Sequence, residues 1–323
     1  SYQKTVSENF FSEATGFISD GFSYYGLGSA TNILQPDSSK SEVEIQSQFG
    51  RFNYDYDDKY LLTATLRRDG ASNFAANEKY ALFPSAALGW KVSNENFLKD
   101  SKAISNLKFR ASYGVTGNPS IGAYQSLSRL ETLYASSNGQ TVSAVTPEQA
   151  ENPNLKWESS YQTNFGIDLG LINNRVSISL DYYNIDTKDL ILTDNSITEY
   201  LGFSGDDILA NVGEINNRGL EIALSTKNIL KEDFRWTTDF NIAFNKNEVV
   251  SLVNDADLFF DATPSYFSHD RSYVLRVGEE VGLFWGYEYA GVYQGGTVPA
   301  GTQTLSGGVA GDPLFADIDG LSL

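Results

Sequence analysis

Apolar and polar residues alternate along most of this chain with a period of two. Between residues 157 and 169, odd positions such as Tyr161 and Phe165 are mostly apolar, and even positions such as Gln162 and Asp168 are mostly polar. Because successive side chains of a β-strand point to opposite sides, this pattern predicts strands with two different faces. It predicts ten of them, at residues 41–56, 60–68, 81–93, 106–117, 155–171, 176–187, 214–227, 234–246, 271–277 and 281–293.

The connections between the predicted strands are of two alternating kinds. Short turns are predicted at residues 57–59, 172–175, 228–233 and 278–280, with 94–105 as a longer member of the same set. Long connections rich in Gly, Ser, Asn and Asp are predicted at residues 69–80, 118–154, 188–213 and 247–270. Antiparallel strands with short turns at one rim and long loops at the other are typical of an outer-membrane β-barrel.

The apolar face has two physical interpretations. In a soluble antiparallel sheet it would be the core, and in a membrane barrel it would meet lipid while the polar face lines a wet lumen. Many predicted strands have about 12–17 residues, whereas globular strands have about 5–6 and a bilayer needs about 9–11. Aromatic residues also gather near strand ends, as interfacial girdles do: Tyr54, Tyr56, Tyr60, Trp90 and Trp236 near the short turns, Trp157 and Phe244 near the long loops. We therefore predict an all-β fold, an antiparallel transmembrane β-barrel.

Composition narrows the chemistry. The chain has 323 residues, 41% of them hydrophobic, and contains no cysteine, so disulfides, thiolate zinc sites and cysteine nucleophiles are excluded. The formal net charge of −18 argues against nucleic acid as a partner. The chain also lacks methionine and a signal peptide, and residues 317–323 stop inside a Gly- and Asp-rich stretch. We therefore expect it to be part of a longer protein.

Several segments carry a resemblance to a known family. The sequence resembles the SusC/RagA family of TonB-dependent outer-membrane transporters in six segments that follow the order of the family. They are Tyr60–Phe74, Leu82–Trp90, Leu107–Asn118, Asn152–Glu158, Val176–Leu190 and Asn211–Glu221. The resemblance covers about residues 41–293 and is specific as a set, although no single segment is.

This resemblance implies a fold and a function. The fold would be a partial barrel, with about ten strands of the roughly 22 that enclose a plugged lumen. The function would be energised import of an oligosaccharide or oligopeptide across the bacterial outer membrane. A SusD-like surface lipoprotein would cap the long loops, and the TonB complex would act through a plug domain.

The resemblance also divides the chain into parts. Residues 1–40 would be an extracellular loop region, residues 41–293 barrel strands and loops, and residues 294–323 a truncated extracellular loop, with no plug present. Because about twelve further strands would complete the wall, we expect an open sheet with two edges. Closure of the ten strands on themselves, by pairing of 41–56 with 281–293, is the alternative.

Candidate substrate-path residues lie on the polar face of the strands and in the loops. The lumen candidates are Lys108, Arg110, Glu158, Asp168, Asp181, Glu221, Arg235 and Asp239. Solvation and mutual pairing of these charges are the simpler alternative role. The loop candidates are Tyr24, Tyr25, Tyr124 and Tyr134, for which packing of the loops on one another is the simpler role.

Catalytic and metal sites have little support. The single histidine, His269, has no cysteine or second histidine to pair with, so we expect no enzymatic activity. Asp317 and Asp319 begin like a calcium loop, but the third acid and the distal Glu are lacking, which favours an ordinary turn and no cofactor.

Two other functions stay open on the sequence alone. One is a passive or structural outer-membrane barrel that is not coupled to TonB. The other, from a different class, is a secreted all-β binding module. A plug domain elsewhere in the gene separates the importer from the passive barrel, and extraction only by detergent separates both from the secreted module.

Overall fold

The computed structural model of this protein describes residues 1–137, 139–194, 208–260, 272–304 and 308–316. The chain divides into two compact units, Ser1–Val253 and Asn254–Leu323, and each is described by itself. Short 3₁₀ helices lie at Asp20–Ser29, Val92–Asn94 and Val253–Asp255. None of the helices within the described ranges is long and apolar enough to cross a membrane.

A nine-stranded antiparallel sheet dominates the first unit, and its neighbouring strands follow one another in chain order. We number these strands β1 to β9: β1 Tyr2–Phe11, β2 Asp37–Tyr56, β3 Tyr60–Ala71, β4 Tyr80–Lys91, β5 Ile104–Asn118, β6 Glu158–Leu171, β7 Val176–Asp194, β8 Ile208–Leu230 and β9 Arg235–Ser251. Among the described residues β1 and β9 do not pair with each other, so the sheet is open, as expected for part of a larger barrel.

The strand register confirms the two predicted faces. Residues that pair across neighbouring strands lie on the same side of the sheet, so each row of partners reports one face. One row across eight strands is almost entirely apolar: Tyr54, Leu62, Leu88, Ala111, Phe165, Tyr182, Leu220 and Phe244. A row on the other side is mostly polar: Lys91, Lys108, Asp168, Ser179, Ala223 and Asn241. We call these sides the apolar face and the polar face.

Strand length also separates this sheet from an ordinary globular one. β8 has 23 residues and β2 has 20, about twice the roughly 9–11 residues that a tilted strand needs to cross a bilayer. The short turns are tight, and Asp57 and Asp58 both have positive φ angles, of 57° and 49°. Paired positive φ angles are typical of hairpin turns whose twist matches that of the strands.

Strand β1 was not predicted, since residues 1–40 were expected to be a loop region. Its sequence places Lys4 and Glu8 among its apolar positions, which hides the alternation. Pairing with β2 accounts for these charges: Lys4 forms ion pairs with Glu42 and Glu44, and Glu8 pairs with Lys40 at 2.8 Å. Opposite charges across a strand pair favour its pairing. In β1, paired charges therefore stand at positions where apolar residues would otherwise mark the strand.

Short strands also form inside the predicted loops of the first unit. Ala14–Thr15 pairs with Asn32–Ile33, and Arg129–Ser137 pairs with Gln140–Gln149 as a hairpin within the long connection between β5 and β6. The hairpin exposes apolar side chains, including Leu130 and Val145.

The second unit differs from the strands predicted for the last part of the chain. Residues 271–277 and 281–293 were predicted as strands of the wall, and this is wrong for their described parts. The second unit instead holds two small sheets, with the strands Leu258–Phe260, Tyr273–Leu275, Leu283–Phe284, Tyr289–Val292, Thr302–Gln303 and Pro313–Ala316. Gly282 and Gly291, both inside the predicted strand 281–293, adopt positive φ angles of 92° and 137°, which interrupt an extended run.

A small apolar core lies at the long-loop end of the sheet. Its buried members are Ala71, Phe74, Phe83, Val115, Leu155 and Trp157. Trp157 was expected in an interfacial girdle, but its ring packs at 5.0 Å from Phe74 and 5.4 Å from Phe83. Its Nε1 donates to the backbone oxygen of Lys79 at 3.0 Å, which satisfies the buried indole. The core therefore fixes residues of the long connections to the long-loop ends of the strands.

Candidate functional site

The centre of the polar face is an ion cluster around Arg110. Its guanidinium donates to both carboxylate oxygens of Asp168, at 2.8 and 2.9 Å, and to both of Asp181, at 2.8 and 2.9 Å. The Ser179 hydroxyl lies 3.1 Å from each carboxylate. Two bidentate pairs on one guanidinium hold three neighbouring strands, β5, β6 and β7, in a fixed register.

Gly166 makes this cluster possible. It lies between Arg110 and Asp181 in the strand register and leaves the space above β6 empty. A Cβ at Gly166 would lie 2.5 Å from Cζ of Arg110 and 2.6 Å from Oδ1 of Asp181. Any other residue would therefore push the guanidinium away from Asp181. The Arg110 side chain can extend across β6 to reach β7 because β6 carries a glycine at this position.

The cluster carries a net negative charge and has a further acid beside it. One arginine faces two aspartates, and Glu221 on β8 is the register partner of Asp181. Cavities of about 450 Å³ and 400 Å³ flank Glu221 on the polar face. Amide side chains line them together with Glu221, among them Asn241, Asn164 and Asn245. Such a surface can hydrogen-bond a polar solute or attract a cationic group.

The other lumen candidates are spread along the wall rather than gathered into one site. Lys108 is the register partner of Asp168, and Glu158 accepts a hydrogen bond from Asn118 at 3.3 Å. Arg235 and Asp239 are exposed on the last strand, β9. The structure thus brings together Arg110, Asp168 and Asp181 with Glu221 beside them. Ser179 and Gly166 were missed, because only the register brings them to the cluster.

Two of the loop tyrosines, Tyr124 and Tyr134, have hydrogen-bond partners within the protein. The Tyr124 hydroxyl accepts a hydrogen bond from the backbone N–H of Glu42 at 3.1 Å, and Gln35 Nε2 donates to the Tyr134 hydroxyl at 2.9 Å. These contacts tie the connection between β5 and β6 to residues 35–42, as loop packing would require. Tyr25 is exposed, and the side chain of Tyr24 lies outside the described part of the structure.

The remaining candidates cannot be placed. Asp317, Asp319 and His269 lie outside the described residues. Within the described ranges, no group of three or more His, Asp and Glu side chains has the arrangement of a metal site.

Comparison with known proteins gives a consistent set of relatives. The family described as "TonB dependent receptor-like, beta-barrel" matches residues 2–311. TonB-dependent receptor P3 of Formosa agariphila is 47% identical over 99% of this chain, which covers 32% of that protein. TonB-dependent receptor SusC of Bacteroides thetaiotaomicron is 34% identical over 84% of this chain and is covered over 29% of its length.

Solved structures share the fold. The RagAB peptide transporter superimposes with a TM-score of 0.76 at 26% identity, over 91% of this chain and 31% of the transporter chain. A second RagAB structure, in the "closed-closed" state, has a TM-score of 0.75 at 24% identity, over 98% of this chain and 33% of its own. The chain therefore spans about a third or less of the relatives it matches.

Proposed function

The chain belongs to the TonB-dependent receptor-like β-barrel family, to its SusC/RagA-like members, and we propose on that premise that it forms part of the barrel wall of an outer-membrane nutrient importer. Proteins of this family reside in the outer membrane, where backbone groups facing lipid must all be paired within the protein. A sheet of long antiparallel strands meets that requirement when further strands cover its two edges.

The observation that carries this proposal is the separation of the two faces across eight consecutive strands. The row from Tyr54 to Phe244 is apolar, while the opposite side holds the charged cluster of Arg110, Asp168 and Asp181. A dry core could not hold this cluster, whose side chains are 21–30% exposed, beside the exposed Glu221 without a large desolvation cost. A water-filled lumen can, and the apolar side then meets lipid.

The substrate class that we propose is an oligopeptide or an oligosaccharide. Support for a peptide comes from the RagAB peptide transporter, which shares the fold at 26% identity. The polar face also offers many amide groups along β6 to β9 and the exposed acids Glu221 on β8 and Asp239 on β9, which suit a solute rich in hydrogen-bonding groups. Lys108, Arg110, Glu158, Asp168, Asp181, Glu221, Arg235 and Asp239 would line the path of the solute. Tyr24, Tyr25, Tyr124 and Tyr134 would lie at its outer mouth.

We propose two protein partners, one of which binds the long-loop rim of the sheet. A SusD-like surface lipoprotein would cover the long loops, where the Arg129–Ser137 and Gln140–Gln149 hairpin exposes Leu130 and Val145. The TonB complex would act through a plug that is not among these residues. Neither partner involves nucleic acid, in keeping with the net charge of −18.

Growth and uptake experiments test this function. Cells that express the complete protein should take up the substrate oligomer, and loss of either the gene or TonB should abolish this uptake. Glu221→Lys should alter the rate for charged oligomers more than for neutral ones, because it reverses a charge in the proposed path. Uptake that persists without TonB would support a passive barrel instead. Recovery of the protein from the medium rather than the membrane would support a secreted binding module.

A further inference from the structure

A long groove of about 770 Å³ crosses the apolar face. It lies between two neighbouring rows of the strand register. Leu88, Ala111 and Phe165 form one side, and Trp90, Phe109 and Ile167 form the other. The groove is lined almost only by apolar atoms, and its volume falls within the range of about 300–1,000 Å³ that is usual for sites of small molecules.

Ala111 opens the groove. Its row neighbours Leu88 and Phe165 protrude, with exposures of 59% and 56%, while the methyl group of Ala111 leaves a gap between them. A gap of this kind lacks atoms on one side, so its walls lose dispersion contacts unless another molecule fills it. A flexible hydrocarbon chain can follow the groove and restore those contacts.

One end of the groove is amphipathic. Tyr60 and Trp90 stack with ring centroids 6.4 Å apart, and both donate to Oε1 of Glu95, at 2.7 and 3.1 Å. These two donors hold the pKa of Glu95 below its usual value, so this carboxylate stays charged at neutral pH. Aromatic rings with one wet edge are typical of the level where lipid headgroups begin.

We infer that this groove is a specific binding site for one acyl chain of a membrane phospholipid. The glycerol and headgroup of that lipid lie at the Tyr60–Trp90 end, and the chain runs past Ala111 towards Leu220. The inference rests on the proposed function, because it requires the apolar face to lie in a bilayer. It goes beyond the proposed function because it assigns one ordered lipid to this groove, whereas the rest of the apolar face would contact mobile lipid.

Photolabelling of the complete protein in nanodiscs tests this site. The probe is a phosphatidylethanolamine that carries a diazirine in the middle of one acyl chain. Labelled peptides should come mainly from β4, β5 and β6 around Ala111. Ala111→Phe fills the groove and should lower labelling of these peptides several-fold, and Ala111→Leu should lower it by a smaller factor.

Ala86→Phe is the matched control. Ala86 also lies on the apolar face of β4, pairs with Ala64 and Tyr113, and does not line the groove. Its labelling pattern should equal that of the unchanged protein. Only protein that keeps the heat-modifiable mobility of a folded barrel is counted, so that a folding defect is not mistaken for loss of the site.

Two outcomes would overturn the inference, and a third would overturn the proposed function on which it rests. Equal labelling of Ala111→Phe and Ala86→Phe would mean ordinary contact with mobile lipid. Cross-links from this face to a second protein chain would make the groove a protein interface. Absence of labelling anywhere on the apolar face would instead overturn the proposed membrane function, since labelling around Phe52 on β2 does not depend on the groove.

Discussion

Asp181 and Glu221 face each other as register partners on β7 and β8, on the polar face of the sheet. Asp181 is bound by Arg110 through two hydrogen bonds of 2.8 and 2.9 Å, whereas Glu221 is exposed at the rim of two cavities. Like charges directly opposite one another destabilise a strand pair. The pair therefore carries an electrostatic cost that Arg110 offsets on the Asp181 side only.

Glu221→Gln should therefore stabilise the barrel slightly. Removal of one of two opposed charges should raise the free energy of unfolding by about 0.2–1 kcal/mol. Asp239→Asn is the control, because Asp239 faces Ser225 rather than an acid, so its removal relieves no such repulsion. Urea unfolding of the complete protein in detergent or lipid measures both, and an equal gain for the two variants would contradict the pairwise explanation.

Gly166→Ala should destabilise the wall. The new methyl group would lie 2.5 Å from Cζ of Arg110 and would break the bond to Asp181, which leaves a charge without its partner. We expect a loss of about 1–3 kcal/mol in the free energy of unfolding, or a lower folded yield. Gly50→Ala is the matched control, because no atom lies within 4 Å of a Cβ at Gly50. Equal behaviour of the two variants would show that the crossing of β6 by Arg110 is not important for stability.

The sequence predicted most of this wall. Eight of the nine strands follow from the alternation of apolar and polar residues, because that pattern reports directly which side chains share a face. β1 was not predicted because charged residues stand at its apolar positions, and their ion-pair partners on β2 lie 32 to 40 positions away, as for Lys40 with Glu8. The strand predicted at 281–293 failed because Gly282 and Gly291 have positive φ angles that interrupt the alternation there. The strand predicted at 271–277 is reduced to Tyr273–Leu275, which pairs within a small sheet of the second unit instead of the wall.

The candidate site could be predicted only in part. Arg110, Asp168 and Asp181 were placed on the polar face, and mutual pairing was foreseen as one role for such charges. Which of them meet depends on the register between β5 and β6, which are joined by 39 residues and therefore not set by a tight turn. For the same reason the role of Gly166 could not be predicted. A glycine in the middle of a two-faced strand does indicate that another group packs closely against the backbone there, but not which group.

Arginine substitutions should distinguish the two faces. Ile242→Arg places a charge on the apolar face of β9 and should cost about 2–4 kcal/mol if this side lies at the bilayer midplane. Asn241→Arg, one residue earlier, points to the polar face and should be tolerated. Assembly into the outer membrane and unfolding in lipid measure the difference. Equal tolerance of the two variants would mean that the apolar face does not meet lipid.

Single cysteines should report which rim faces the outside, since the chain has no native cysteine to interfere. Ser143→Cys lies in the Gln140–Gln149 strand at the long-loop rim, and Glu232→Cys lies in the short turn between β8 and β9. Both positions are exposed, so accessibility to a reagent differs only by the side of the membrane. A membrane-impermeant maleimide should label Ser143→Cys on intact cells and should label Glu232→Cys only after the outer membrane is opened. The reverse pattern would place the long loops in the periplasm, where a surface lipoprotein could not cover them.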